Sequence, residues 1–199
     1  MSKIDVVSSL LRSTARGAAA SLRGTQLAGA VRSALSELAI GRVVVRDDQL
    51  TRAVGRVPGV AAATVSCAHS RVRVDLSFED SSQLLMTLRP AGVAFAPGGA
   101  KELSFLVEPP EAAQDLRSRD VLAAIAAEIA RALWRPVLAR APRSEHSALI
   151  TAEGGQLFVD LRSVPEVRWA QSQRLLASVI DALRPRSLDA EPGRLTLML

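Results

Sequence analysis

Two residues of this 199-residue chain stand at a spacing that suits nucleophilic chemistry. Cys67 and His69 are two apart, so on a strand both side chains project from one face, as a thiol and its base must. Catalysis also needs a group to orient the base and donors for an oxyanion, and the neighbouring residues supply no motif for either. The pair therefore reads as a buried small thiol beside a turn histidine, with a hydrolase using Cys67 and His69 kept as the third functional alternative. Glu145 and His146 follow Pro142 and Arg143 in a loop, where solvated side chains are expected. The carboxylates Asp75, Glu79, Asp80 and Asp160 show no spacing that assigns acid and base roles. Gly98 with Gly99, and Gly154 with Gly155, sit in hairpin turns, whereas a phosphate loop opens a helix after a strand. One cysteine and two histidines forbid an internal disulfide and leave too few soft ligands for a structural zinc site. The expectation is a non-enzymatic protein with no metal and no cofactor.

A formal charge of +5 and a pI near 10.8 raise the question of nucleic acid. Of the 25 basic residues only Lys3 and Lys101 are lysine, while asparagine and tyrosine are absent. That bias toward GC-rich codons points to genome composition, not to selection for phosphate contacts. The arginines are scattered from Arg12 to Arg194 among acids, and four phenylalanines with two tryptophans are few for stacking on bases. Nucleic acid is a disfavoured partner. No run approaches the roughly 20 apolar residues of a membrane span. The first residues are cut by Arg12 and Arg16, unlike the uninterrupted apolar core of a signal peptide. A cytoplasmic place, with peripheral membrane contact left open, is expected.

The elements that must position these side chains follow from hydrophobic period. Residues 1–40 read as an N-terminal helical segment in which Ile4, Val7, Leu11, Ala15, Ala18 and Leu22 share one face. Arg12, Arg16 and Arg23 share a polar stripe suited to an anionic membrane surface or a protein partner. Gly24 and Thr25 mark a break before a second apolar set from Leu27 to Leu38. Residues 41–199 read as one α+β domain. After Val43 to Val45, Asp47 and Asp48 are placed to cap a short helix reaching Val54. A hairpin turning near His69 and Ser70 carries Val72, Val74, Leu76 and Phe78 on one side of its second strand. Strands with Leu84, Met86 and Leu88, then Leu103, Phe105 and Val107, extend an antiparallel meander, with a turn expected at Pro90 to Gly92. A long helix is expected from Ser118 to Leu138, with Pro136 kinking its end. A hairpin around Gly154 and Gly155 comes next, and Ser163 with Glu166 reads as a capping box opening a helix through Leu183. The chain closes on a hairpin bearing Leu195, Leu197 and Leu199. Residues 41–78 and 157–199 have the same order of elements, which suggests an internal pseudo-repeat.

The apolar strand faces are the remaining functional signal. Val74, Leu76, Phe78, Leu84, Met86, Leu88, Leu103 and Phe105 line either a core or a groove for an acyl chain. The helix DDQLTRAV, the hairpin TVSCAHSRVRVDLSF, and VDLRSVPEVR followed by RSLDAEPGRLTLML together resemble the tubular lipid-binding proteins, the superfamily of bactericidal permeability-increasing protein. The resemblance spans roughly 40 to 199 and rests on the pattern of elements. It implies a curved antiparallel sheet packed on a long central helix with lipid held between, and no catalytic motif. The leading expectation is thus binding of lipid or another apolar ligand. The alternative is a protein-interaction or assembly component, or a homo-oligomer, docking through the N-terminal helix.

Overall fold

The computed structural model describes residues 41–96, 98–138, 141 and 148–199, so the N-terminal segment with Arg12, Arg16 and Arg23 lies outside the described residues. The fold is α+β, with two antiparallel sheets and a long helix, as the hydrophobic period implies. Strand β1 (Arg42–Arg46) leads into α1 (Asp47–Val54), followed by β2 (Val60–Ala68), β3 (Arg71–Phe78), β4 (Gln83–Phe95) and β5 (Lys101–Glu108). The long helix α2 (Leu116–Leu133) and a single turn, α3 (Arg135–Leu138), precede β6 (Leu149–Glu153) and β7 (Gln156–Asp160). Two short helices, α4 (Pro165–Gln171) and α5 (Arg174–Ala182), then lead to β8 (Ser187–Glu191) and β9 (Arg194–Met198).

The large sheet runs β2-β3-β4-β5-β7-β6 and the small one β1-β9-β8. On β3 the residues Val72, Val74, Leu76 and Phe78 are buried, while Arg71, Arg73 and Asp75 are exposed, the alternation of a sheet with one dry face. That face shares one core with α2, whose buried side chains include Leu122, Ile125, Ile129 and Leu133. Alanines at 123, 124, 126, 127 and 130 are buried as well, so α2 is enclosed on nearly every side. Small side chains permit that enclosure, because they bring the neighbouring elements close to the helix backbone. Asp115 caps α2 by accepting the Arg117 N–H at 3.0 Å.

The two sheets are joined at the turn between β8 and β9. The Gly193 N–H donates to the Cys67 carbonyl at 3.0 Å, and the Gly193 carbonyl accepts from Asp47 N at 3.2 Å. Gly193 has a φ of +78°, a conformation that a side chain would strain, so the residue type at this junction follows from its geometry. Ser70 N donates to Ala190 O at 2.9 Å, tying the β2–β3 turn to β8.

Four local readings are corrected. Strand β4 does not turn at Pro90 to Gly92; it continues to Phe95 with a register shift between Pro90 and Gly92. A bulge accepts proline where a regular ladder does not, and β3 has already ended opposite Leu88. The helix expected to reach Leu138 breaks at Trp134, and Pro136 falls in the first turn of α3, where its missing N–H costs no helical bond. Asp47 does not cap α1: it is the first helical residue, and its carboxylate accepts the Cys67 N–H at 3.1 Å to each oxygen. Ser163 and Glu166 form no capping box. The Ser163 hydroxyl accepts from Leu149 N, and Glu166, 3% exposed, pairs with Arg131, while the helix expected through Leu183 is divided at Ser172–Gln173. The element order of 41–78 recurs in 157–199, but the pairings differ, since β1 joins β9 whereas β7 lies between β5 and β6.

Candidate functional site

The eight residues of the anticipated groove are brought to one face. Val74, Leu76, Met86, Leu88, Leu103 and Phe105 are at most 1% exposed, Phe78 is buried and Leu84 partly so. They share their core with α2, which fills the space over the sheet, so any ligand on this face has to enter at its margin.

The structure gives Cys67 and His69 different surroundings. Cys67 is buried on β2, whereas His69 is exposed in the turn with a φ of 50°. Burial pushes the Cys67 thiol well above its ordinary range, and the hydrogen bond to Asp47 and the charge of Asp47 push it further. A thiol shifted in that direction gives less thiolate at neutral pH than a free cysteine does. We expect less than a tenth of the folded protein to react with a maleimide at neutral pH in the time that removes about nine tenths of the thiol after denaturation. Equal labelling of the two would show that the thiol is open.

At one end of the sheet a cleft of about 220 Å³ is lined by Val57, Gly59, Phe78, Asp80, Arg117 and Asp120, among others. Its arginine is already paired within the chain. The Arg117 guanidinium lies 4.4 Å from the Phe78 ring centroid and donates to Asp80 at 2.7 Å. The Ser82 hydroxyl and then Arg117 hold the Asp80 carboxyl far below the usual carboxylate range. The cluster fixes the β3–β4 turn against the start of α2.

A different group of residues meets at the margin of the core. Lys101, the first residue of β5, is fully buried. Its ammonium donates to the Ala96 carbonyl, lies 3.3 Å from an Asp181 carboxylate oxygen, and sits 5.9 Å from the Phe95 ring centroid. Phe95 in turn stacks on Trp134, with centroids 6.2 Å apart and planes 29° from parallel. The Trp134 indole is 1% exposed, and among the described residues its N–H has no hydrogen-bond partner. β4 supplies Phe95, the residue after α2 supplies Trp134, and α5 brings Asp181 to the ammonium. A buried ammonium, an unmatched indole donor and two aromatic faces make a site that can hold an anion attached to an apolar body.

Sequence reasoning set Lys101 aside as one of two lysines and did not place it. The signal was present: in a chain that uses arginine almost everywhere, the choice of lysine at position 101 marks a place where a compact ammonium on a narrow stem is required. Phe95, Trp134 and Asp181 carried no spacing signal, because they come from three separate elements. Among the described residues no cluster of histidine, cysteine, aspartate and glutamate could hold a metal ion, and no helix is long and apolar enough to cross a membrane. No family model, curated protein or solved structure matches the chain.

Proposed function

We propose that the chain is a non-enzymatic binding protein for lipid or another apolar ligand, which enters at the Phe95–Trp134 margin of the core. One observation carries this reading: a fully buried ammonium and an unmatched indole N–H stand beside a continuous apolar interior. The indole N–H is costly to bury without an acceptor, and the ammonium has its carboxylate in Asp181, a side chain 40% exposed. A protein needing only stability is served as well by apolar side chains there. The apolar interior offers the tail a surface like its own, and α5 is the element that has to yield.

Native mass spectrometry of the purified protein, before and after organic extraction and re-exposure to cellular lipid, tests the reading. The expected spectrum shows a bound mass of one lipid that extraction removes and re-exposure restores. A bare chain under all three conditions would overturn it. A second reading, docking on a protein, is favoured by Leu85 and Leu149, 53% and 63% exposed on two strands of the large sheet. Its signature in the same spectra is a stable oligomer without lipid.

A further inference from the structure

We infer that Lys101 anchors the anionic headgroup of a single-chain amphiphile, a carboxylate or a phosphate, and that Asp181 on α5 occupies the anion's place while the site is closed. This rests on the apolar-ligand reading and adds the headgroup to it.

The chemistry of the group is that of an anion site with an internal occupant. The Asp181 carboxylate is 3.3 Å from the ammonium and its side chain is 40% exposed, so one end of the ion pair is sealed in protein and the other faces water. An external carboxylate or phosphate arriving from that side meets the same ammonium. A second donor on the same aromatic stack, the Trp134 N–H, has no acceptor among the described residues. Phe95 and Trp134 then flank the first carbons of the tail.

The placement of Asp181 argues for this role. It stands in the last turn of α5, where a negative charge opposes the helix dipole, so the helix itself gives no reason for an acid there. Lys101 gives one. The helix is also built to move. It spans nine residues and has no side-chain cap at its N-terminus. No acid stands in its first turn and no base in its last, and it is divided from α4 at Ser172–Gln173. An isolated helix of this length is marginal, and the side chains that help hold it to the body include Ile180, the partly buried Leu176, Val179 and Leu183, and Asp181 through its ion pair. A ligand that replaces the Asp181 pair and the Ile180 contact with its own headgroup and tail compensates both losses when α5 swings away.

The test uses the fluorescence of Trp134 in the full chain carrying Trp169→Phe, so that one indole reports. The probes are oleate, oleyl alcohol, 1-oleoyl-lysophosphatidate and inorganic phosphate. Oleate is expected to bind about tenfold more tightly than the alcohol, which has the same chain and no charge. Lys101→Met is expected to bring the two to equal affinity, and Asp181→Asn to tighten oleate about tenfold while leaving the alcohol unchanged. Lysophosphatidate binding more tightly than oleate would assign the natural anion to a phosphate, and the reverse to a carboxylate; both support the anchor. Inorganic phosphate alone is expected to leave the signal unchanged, and a response equal to that of the lipid would overturn the amphiphile. Equal affinity for oleate and alcohol in both the parent and Asp181→Asn would overturn the anchor and leave the apolar-ligand reading standing. No response to either long chain would overturn both.

Discussion

Truncating Phe105 to alanine is expected to lower the unfolding free energy by about 3 to 5 kcal/mol. Phe105 is fully buried at the middle of β5, opposite Pro90 on β4 and Leu157 on β7. Strands pinned on both flanks cannot close over the space that the ring leaves, and the cost of a large-to-small change grows with the cavity that persists. Urea unfolding with the slope held as a check reads this directly, because an unchanged slope shows that the midpoint shift is stability and not a change in compactness. A loss under about 1 kcal/mol would mean that the interior repacks freely. It would also return Phe105 to the class of residues that can accommodate a ligand.

Arg131→Leu is expected to cost a comparable amount, about 3 to 5 kcal/mol, for an electrostatic reason. Arg131 bridges two carboxylates, donating to Glu128 at 2.6 Å within α2 and to Glu166 at 2.7 Å on α4. Burial works against its cation, but hydrogen bonding to Glu166 and the charge of Glu166, followed by the same contributions from Glu128, outweigh it and hold the guanidinium pKa above the ordinary value. The Glu166 side chain is only 4% exposed, so removing the arginine strands a carboxylate in the interior, whereas Glu128 at 18% retains some water. Removing Glu166 as well, in Arg131→Leu with Glu166→Leu, is expected to bring stability back to within about 1 kcal/mol of the parent, since an apolar pair of similar volume does the same packing. If the double variant is as unstable as the single one, the loss comes from packing and the stranded charge is not its cause.

Much of the architecture was legible in the chain because it follows from period alone. The alternation through Val72, Val74, Leu76 and Phe78 defines β3 without help from anything distant, and the spacing of Leu122, Ile125, Ile129 and Leu133 does the same for α2. The failures fall where local chemistry has a distant partner. Pro90 and Gly92 have the composition of a turn, yet they lie on a bulge because β5 continues to pair beyond them. Ser163 and Glu166 have the spacing of a capping box, yet Glu166 is claimed by Arg131, 35 residues earlier. The candidate site was the least legible part. Its ion pair joins Lys101 to Asp181 and its aromatic stack joins Phe95 to Trp134, separations that no periodicity records. Only the choice of lysine over arginine left a trace.

The small sheet has a consequence for how the molecule comes into being. Its middle strand is β9, and β1 and β8 touch each other only through it. During synthesis β1 therefore leaves the ribosome long before the strand that completes it, and Val43, Val44 and Val45 wait with their pairing edge open until Leu195 to Leu197 arrive. Pairing across so much chain closes a large loop and is slow compared with a hairpin. The large sheet is a succession of short-range partners from β2 to β5 and can assemble first, with α2 laid on it. Closure of the small sheet brings Gly193 to Cys67 and Asp47, so the bonds that hold the two sheets together depend on the arrival of the last hairpin.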